Sequence, residues 1–92
     1  MANEREIPVK MPERVLPGVY ANQMVVSHTR EEFVLDFLAV FPPEGVVNAR
    51  VIVSPGHLKR MIGALQENLG RYEARHGVVK EAPVPEKGTF QN

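Results

Sequence analysis

Hydrophobic positions recur at three- and four-residue spacing in one long stretch of the C-terminal half of the chain. Ser54 can accept hydrogen bonds from the free N–H groups at a helix start, and Pro55 suits the first helical position. Gly77 suits a helix end with a left-handed backbone conformation. The pattern predicts an α-helix over 54–76. Its apolar side, here called the helix stripe, consists of Leu58, Met61, Ile62, Leu65, Leu69 and Tyr72.

Three upstream segments have the alternation or the apolar runs that are typical of β-strands. They span 18–28, 32–41 and 46–53, and Pro-Pro-Glu-Gly forms a turn before the third. The middle segment is apolar on both faces except for Asp36, whereas a half-exposed antiparallel strand should alternate. One helix can cover only one face of a sheet. We therefore expect a second copy of the chain to cover the other face.

The second and third strands are predicted to pair in a register that places Val40 opposite Val46. In this register Asp36 faces Arg50, so the charged residues inside the two strands meet. The same register gathers apolar side chains on the face that the helix of the same chain cannot reach. This group, here called the sheet patch, is expected to be an oligomer interface or a groove for a client polypeptide. It consists of Val34, Leu38, Val40, Val46 and Ile52.

The chain has 92 residues, no cysteine and a formal net charge of zero. We expect one α+β domain over 18–80, formed by an antiparallel meander of three or four strands and one long C-terminal helix packed on one sheet face. Residues 1–17 contain three prolines and are expected to form a flexible arm, with a short edge strand over 7–11 as the alternative. Residues 81–92 are expected to form a disordered tail.

So small a domain is marginally stable alone, and without cysteine it cannot be held by disulfides. Oligomerisation is the expected source of additional stability. The N-terminus is charged and has no apolar run behind it, and no segment reaches the length of a membrane span. We therefore expect a cytoplasmic protein with no membrane partner.

Residues that could carry catalysis or bind a metal are few. His57 and His76 are about 28 Å apart on a straight helix, and His28 lies in a turn, so the three cannot share one metal within a subunit. The sequence contains no nucleophile motif and no phosphate-binding loop. It therefore predicts no catalytic residue, no metal site and no cofactor.

Two features of the helix leave alternatives open. Its basic residues could contact nucleic acid, although a solvated face of mixed charge is the simpler interpretation and the zero net charge argues against a strongly basic binder. These residues are Lys59, Arg60, Arg71 and Arg75. The glycines at 56, 63, 70 and 77 repeat every seven residues, which indicates either close approach by a partner helix or chance combined with a helix end.

Several short strings together resemble one prokaryotic family. They are Tyr20-Ala21-Asn22, Glu32-Phe33-Val34-Leu35-Asp36-Phe37, Arg50-Val51-Ile52-Val53-Ser54-Pro55, Lys59-Arg60, Ala64-Leu65, Asn68 and Tyr72-Glu73. The family is domain of unknown function 3467, and the resemblance covers about residues 18–80. The family name implies no activity. The order of elements is also loosely similar to that of the export chaperone SecB, a tetramer that binds unfolded chains along apolar grooves, although this chain lacks the net acidity of SecB.

These observations favour a non-enzymatic interaction module that forms a dimer or tetramer. The SecB resemblance implies that such a module could hold apolar segments of other polypeptides. The alternative is a nucleic-acid-associated regulatory protein that uses the basic residues of the helix. Salt distinguishes the two, because nucleic-acid binding weakens steeply with salt whereas capture of apolar segments does not.

Overall fold

The computed structural model describes residues 6–83. Within them the chain forms three strands and one helix in the order β1 (Gln23–His28), β2 (Phe33–Phe41), β3 (Glu44–Val53) and α1 (Pro55–His76). The strands form one antiparallel sheet in the order β1-β2-β3, so β2 is the central strand. The predicted α+β class, with a three-stranded meander followed by one helix, is confirmed. The first strand is shorter than expected, because 18–22 approach the sheet without joining it as a regular strand.

Short turns join the strands of the meander. Between β1 and β2 the Thr29 N–H donates to the Glu32 carbonyl at 3.0 Å, and the Thr29 hydroxyl accepts from the N–H groups of Glu31 and Glu32. Between β2 and β3 the loop is only Pro42-Pro43, joined by a cis peptide bond, and Phe41 already pairs with Glu44. The third strand therefore begins two residues earlier than the sequence pattern indicated.

The register of β2 and β3 agrees with the prediction in one half of the hairpin and differs in the other. Asp36 lies opposite Arg50 and Val34 opposite Ile52, as expected. A β-bulge then shifts the pairing between Phe37 and Leu38, and Asn48 is the extra residue. The expected pairing of Val40 with Val46 is therefore wrong. Val40 lies opposite Gly45, and Val46 lies opposite Ala39.

The helix begins and ends where its sequence signals indicate. The Ser54 hydroxyl accepts from the His57 N–H at 3.1 Å, and Pro55 occupies the first turn. Gly77 ends the helix with φ of 99°, a backbone conformation that favours glycine, although its ψ of 165° lies outside the left-handed helical region. Only Ser54 separates the helix from β3, so no loop allows the helix to turn back over the sheet.

The helix differs from the prediction in how far it packs on the sheet. None of its residues is buried, and only Leu58, Met61 and Glu73 are half-buried. The Cα radius of gyration is 16.6 Å, whereas a compact domain of this length has about 12 Å. The helix therefore projects from the sheet, and within the described residues most of its apolar side is exposed.

The residues that flank the domain were expected to be an arm and a tail. Residues 6–11 form no strand within the single chain, and both the flexible arm and the edge strand over 7–11 stay predictions. Pro12 to Gly18 form local turns in which the Val15 N–H donates to Pro12 and the Gly18 N–H donates to Val15. The expected tail lies outside the described residues beyond 83.

Candidate interaction surface

The hydrophobic core of the single chain is very small. Among the described residues, Leu35 and Leu38 are the buried hydrophobic side chains, with exposures of 4% and 6%. They point to opposite faces of the central strand, so each face of the sheet has one buried apolar side chain. The outer strands leave much of their apolar surface in contact with solvent.

Only some residues of the sheet patch are exposed to solvent. Its residue Leu38 is buried within the single chain, and Val34 and Val40 are half-buried. Ile52 is exposed and shares this face with Leu38. The β-bulge removes Val46 from the patch, because directly opposed residues point to the same face and Val46 is opposite Ala39 on the other one. Val47, which pairs with Leu38 and is exposed, takes its place.

The predicted pair of Asp36 and Arg50 is confirmed. The Arg50 guanidinium donates from Nε to Asp36 Oδ1 at 2.7 Å and from Nη2 to Oδ2 at 3.0 Å, a bidentate arrangement. Asp36 is only 3% exposed, whereas 64% of the Arg50 side chain remains exposed. The hydrogen bonds from Arg50 lower the pKa of Asp36 and outweigh the opposing effect of burial. The pair therefore joins β2 to β3 and fixes their register up to the bulge.

A hydrogen-bonded network at the turn end of the sheet was not anticipated from the sequence. The Asn22 side chain donates to the Val40 carbonyl at 3.0 Å and accepts from the Val40 N–H at 2.9 Å. These two hydrogen bonds take the place of those that a further residue of β1 would make with β2. The bulged Asn48 donates its amide to the Tyr20 carbonyl at 2.7 Å, and the Tyr20 ring stacks on Phe41. The sequence feature that could have indicated this network is asparagine at positions 22 and 48, because asparagine is depleted in strands.

The helix stripe is an apolar surface of which most residues are exposed in the described chain. Leu58 and Met61 in the first two turns are half-buried, whereas the residues beyond them are exposed, up to 67% for Leu65. The exposed members are Ile62, Leu65, Leu69 and Tyr72. Exposed apolar side chains in such an arrangement form a candidate surface for burial against another molecule.

The basic residues of the helix do not converge on one site. Arg60 donates to the His57 ring at 2.8 Å, and Arg71 pairs with Glu67 at 2.8 Å across one helical turn. Arg71 and Arg75 line a shallow, open depression together with Tyr72, Asn68 and His76. Lys59 lies on another side of the helix, about 100° or more from each of the three arginines. Only the C-terminal part of the helix therefore places cations beside an aromatic ring.

Neither a metal site nor a membrane-crossing segment is found in the described part of the chain. No group of three or more histidine and acidic side chains within residues 6–83 is arranged to hold a metal ion. The described helix also lacks the apolar content that crossing a bilayer requires.

The described chain is a small α+β domain in which one helix projects from a three-stranded antiparallel meander. Both the sheet and the helix expose apolar side chains. The chain belongs to the family described as protein of unknown function, DUF3467, whose model matches residues 1–81. The match includes the N-terminal 17 residues, which the sequence resemblance had left out. No curated protein and no solved structure matches the chain. The similarity to SecB remains a prediction.

Proposed function

We propose that this chain is a non-enzymatic, homo-oligomeric interaction module. The observation that carries the proposal is the size of the single-chain core. Two buried leucines contribute roughly 1.5–3 kcal/mol each, whereas ordering each residue of the backbone costs about 1–2 kcal/mol. A domain with so small a core needs further burial, and its exposed apolar side chains on helix and sheet supply the surface for it. A second copy of the same chain is the partner always present at equal concentration.

The mass of the protein in solution tests this proposal. We expect light scattering after size-exclusion chromatography to give the mass of a dimer or tetramer at micromolar concentration. The midpoint of thermal unfolding should rise with protein concentration, because assembly is linked to folding. A monomer mass together with a concentration-independent midpoint would contradict the proposal.

The second part of the proposal is that the assembled protein holds apolar segments of other polypeptides at the sheet patch. Ile52 supports this, because it is exposed beside the buried Leu38 on the same face. Leu38 itself is a poor probe, since its burial means that a polar substitution would unfold the chain. The exposed Ile52 allows the surface to be tested without removing the core.

Substituting Ile52→Gln, with Val51→Gln as the matched control on the opposite sheet face, tests this surface. We expect Ile52→Gln to lower binding of a reduced, unfolded model polypeptide several-fold while the assembly mass is retained. Val51→Gln should leave binding unchanged. Dissociation of the Ile52→Gln variant would instead identify the sheet patch as a subunit interface. Unchanged mass and binding would exclude the patch from both roles.

Nucleic-acid binding is the second candidate function, and the depression beside Tyr72 favours it. Arg71 and Arg75 next to an aromatic ring could contact a phosphate and a stacked base of a single strand. We expect any such binding to a fluorescent oligonucleotide to fall steeply between 50 and 200 mM salt, roughly in proportion to the number of phosphates contacted. Binding of an unfolded polypeptide should persist over the same range.

A further inference from the structure

Beyond its first two turns the helix stripe is exposed in the described chain, and we propose that the same helix of a second copy covers it, in antiparallel orientation with the two-fold axis near Gln66. This inference rests on the proposed homo-oligomer and adds which element forms the contact and in which direction. An interface between two identical surfaces is self-complementary, so each contact from one copy is repeated by the other.

The area of the stripe sets the first condition on this interface. The helix stripe runs from Leu58 to Tyr72, about 21 Å along the helix axis, and at about 10 Å wide it covers roughly 210 Å². A stable interface buries about 800 Å² on each partner. The two stripes alone are therefore too small, and the sheets must contribute to the contact.

The antiparallel orientation supplies this additional contact. Each sheet is attached to the N-terminal end of its helix through Ser54 alone. An antiparallel pair therefore places the C-terminal half of each helix, together with the exposed Val78 and Val79, beside the sheet of the other copy. A parallel pair would bring both sheets to the same end and leave the C-terminal halves of both helices away from either sheet.

Charges along one edge of the stripe favour the same orientation. Glu73, Gln66 and Lys59 are spaced seven residues apart and lie about 20°, 40° and 60° outside the helix stripe, all on the side of Ile62 and Leu69. An antiparallel pair centred near Gln66 places Lys59 of each copy beside Glu73 of the other. The two side chains cannot pair within one helix, because 14 residues separate them by about 21 Å.

The local environment of these two residues leaves them able to pair. The Glu73 carboxylate accepts a hydrogen bond through Oε2 from the Val79 N–H at 2.8 Å, and a carboxylate has capacity for further donors. Glu73 is half-buried beside the helix end, while Lys59 is exposed. In the same arrangement Leu65 approaches the second copy's Leu69, and Ile62 approaches the second copy's Tyr72, so the apolar positions also meet.

Charge reversal tests the orientation in the full-length chain. The variants are Lys59→Glu, Glu73→Lys and the combination of both, with Arg60→Glu as the control that changes the net charge by the same amount as Lys59→Glu on another side of the helix. We expect each single reversal to raise the dissociation constant of the assembly about tenfold at low salt, since two symmetric pairs become repulsive. The combined variant should return to within about threefold of the unmodified chain.

The control should remain within the same threefold range. A combined variant that assembles no better than the single variants, or an Arg60→Glu variant that is equally impaired, would overturn the antiparallel pairing. Circular dichroism on each variant verifies that the helix is intact.

Cross-linking gives a second test, which does not depend on the size of the charge effect. The chain has no cysteine, so a Lys59→Cys chain and a Glu73→Cys chain of different tag length can be mixed under mild oxidation. We expect the disulfide to join one chain of each kind. Disulfides within each kind alone would establish a parallel pair. A monomer mass for the unmodified protein would refute the oligomer and the pairing together, whereas an oligomer that gives the wrong cross-link refutes only the pairing.

Discussion

At the scale of single residues, the contact between Asp36 and Arg50 is the one bidentate ion pair among the described residues. The carboxylate is enclosed between strands, but its partner keeps most of its surface in water. A buried carboxylate without this partner would lose its charge-assisted hydrogen bonds and keep the unfavourable effect of burial. The pair therefore aligns β2 with β3 as well as neutralising a charge inside the sheet.

Stability is expected to depend on pH through this pair. Arg50 lowers the pKa of Asp36 in the folded chain. A lowered pKa stabilises the fold at pH values above the unfolded-state pKa of about 3.9, and this contribution is lost as the pH falls through the lower, folded-state pKa. We expect the urea midpoint of the unmodified chain to fall between pH 5 and pH 2.

Asp36→Asn should be less stable than the unmodified chain at pH 7 and should show a smaller fall toward acid pH. Glu31→Gln, which changes an exposed carboxylate in the turn before β2, provides the control and should keep the original pH dependence. Equal pH profiles for Asp36→Asn and the unmodified chain would show that the pair does not control acid stability.

At the scale of secondary-structure elements, the helix has two sides with different roles. Gly63 and Gly70 lie about 80° or more outside the edge of the helix stripe. A Cβ atom built on either residue meets nothing within 4 Å. The side of the helix that carries these glycines is thus open in the described chain, and in the proposed antiparallel pair it lies beyond Lys59, farther from the apolar contact.

Alanine at these glycines is therefore expected to stabilise the protein. Gly63→Ala and Gly70→Ala should each raise the free energy of unfolding by about 1 kcal/mol, because glycine inside a helix costs about that much relative to alanine. Gly77→Ala is the contrasting variant, since φ of 99° at that position strains any residue with a Cβ atom. Chemical denaturation measures all three. A loss of stability at Gly63 or Gly70 would show that another backbone packs against this side.

At the scale of the whole molecule, the N-terminal segment contributes few contacts to the described fold. Residues 6–20 are exposed, and the hydrogen bonds of Pro12 to Gly18 are made within the segment. The family model nevertheless begins at residue 1. The segment is therefore part of what the family shares, although residues 6–17 form no strand with the sheet of the single chain.

Truncation tests whether the terminal segments stabilise the protein. A chain that spans 18–83 is expected to unfold within about 5 °C of the full-length protein, the change that roughly 1 kcal/mol produces in a domain of this size. Calorimetry at matched protein concentration checks this. A larger decrease, particularly one accompanied by a smaller assembly mass, would show that one of the removed segments joins a neighbouring subunit.

Local signals determined most of the elements without any tertiary information. Ser54, Pro55 and Gly77 bounded the helix, and the period-two pattern located β2 and most of β3. These signals worked because capping, backbone conformation and side-chain period depend on residues adjacent in sequence. Opposite charges inside otherwise apolar strands likewise indicated the pairing of Asp36 with Arg50.

Other features depended on contacts between residues distant in sequence, and only the tertiary structure decided them. Asn48 forms a bulge where its amide reaches Tyr20, and this one extra residue moves Val46 from the sheet patch to the opposite face. The helix stripe has the same periodicity whether its partner is the sheet of its own chain or another copy. The single-residue connection at Ser54 and the exposed stripe together show that the helix projects from the sheet. The sequence could not show this, because periodicity specifies which side of a helix is apolar but not what covers that side.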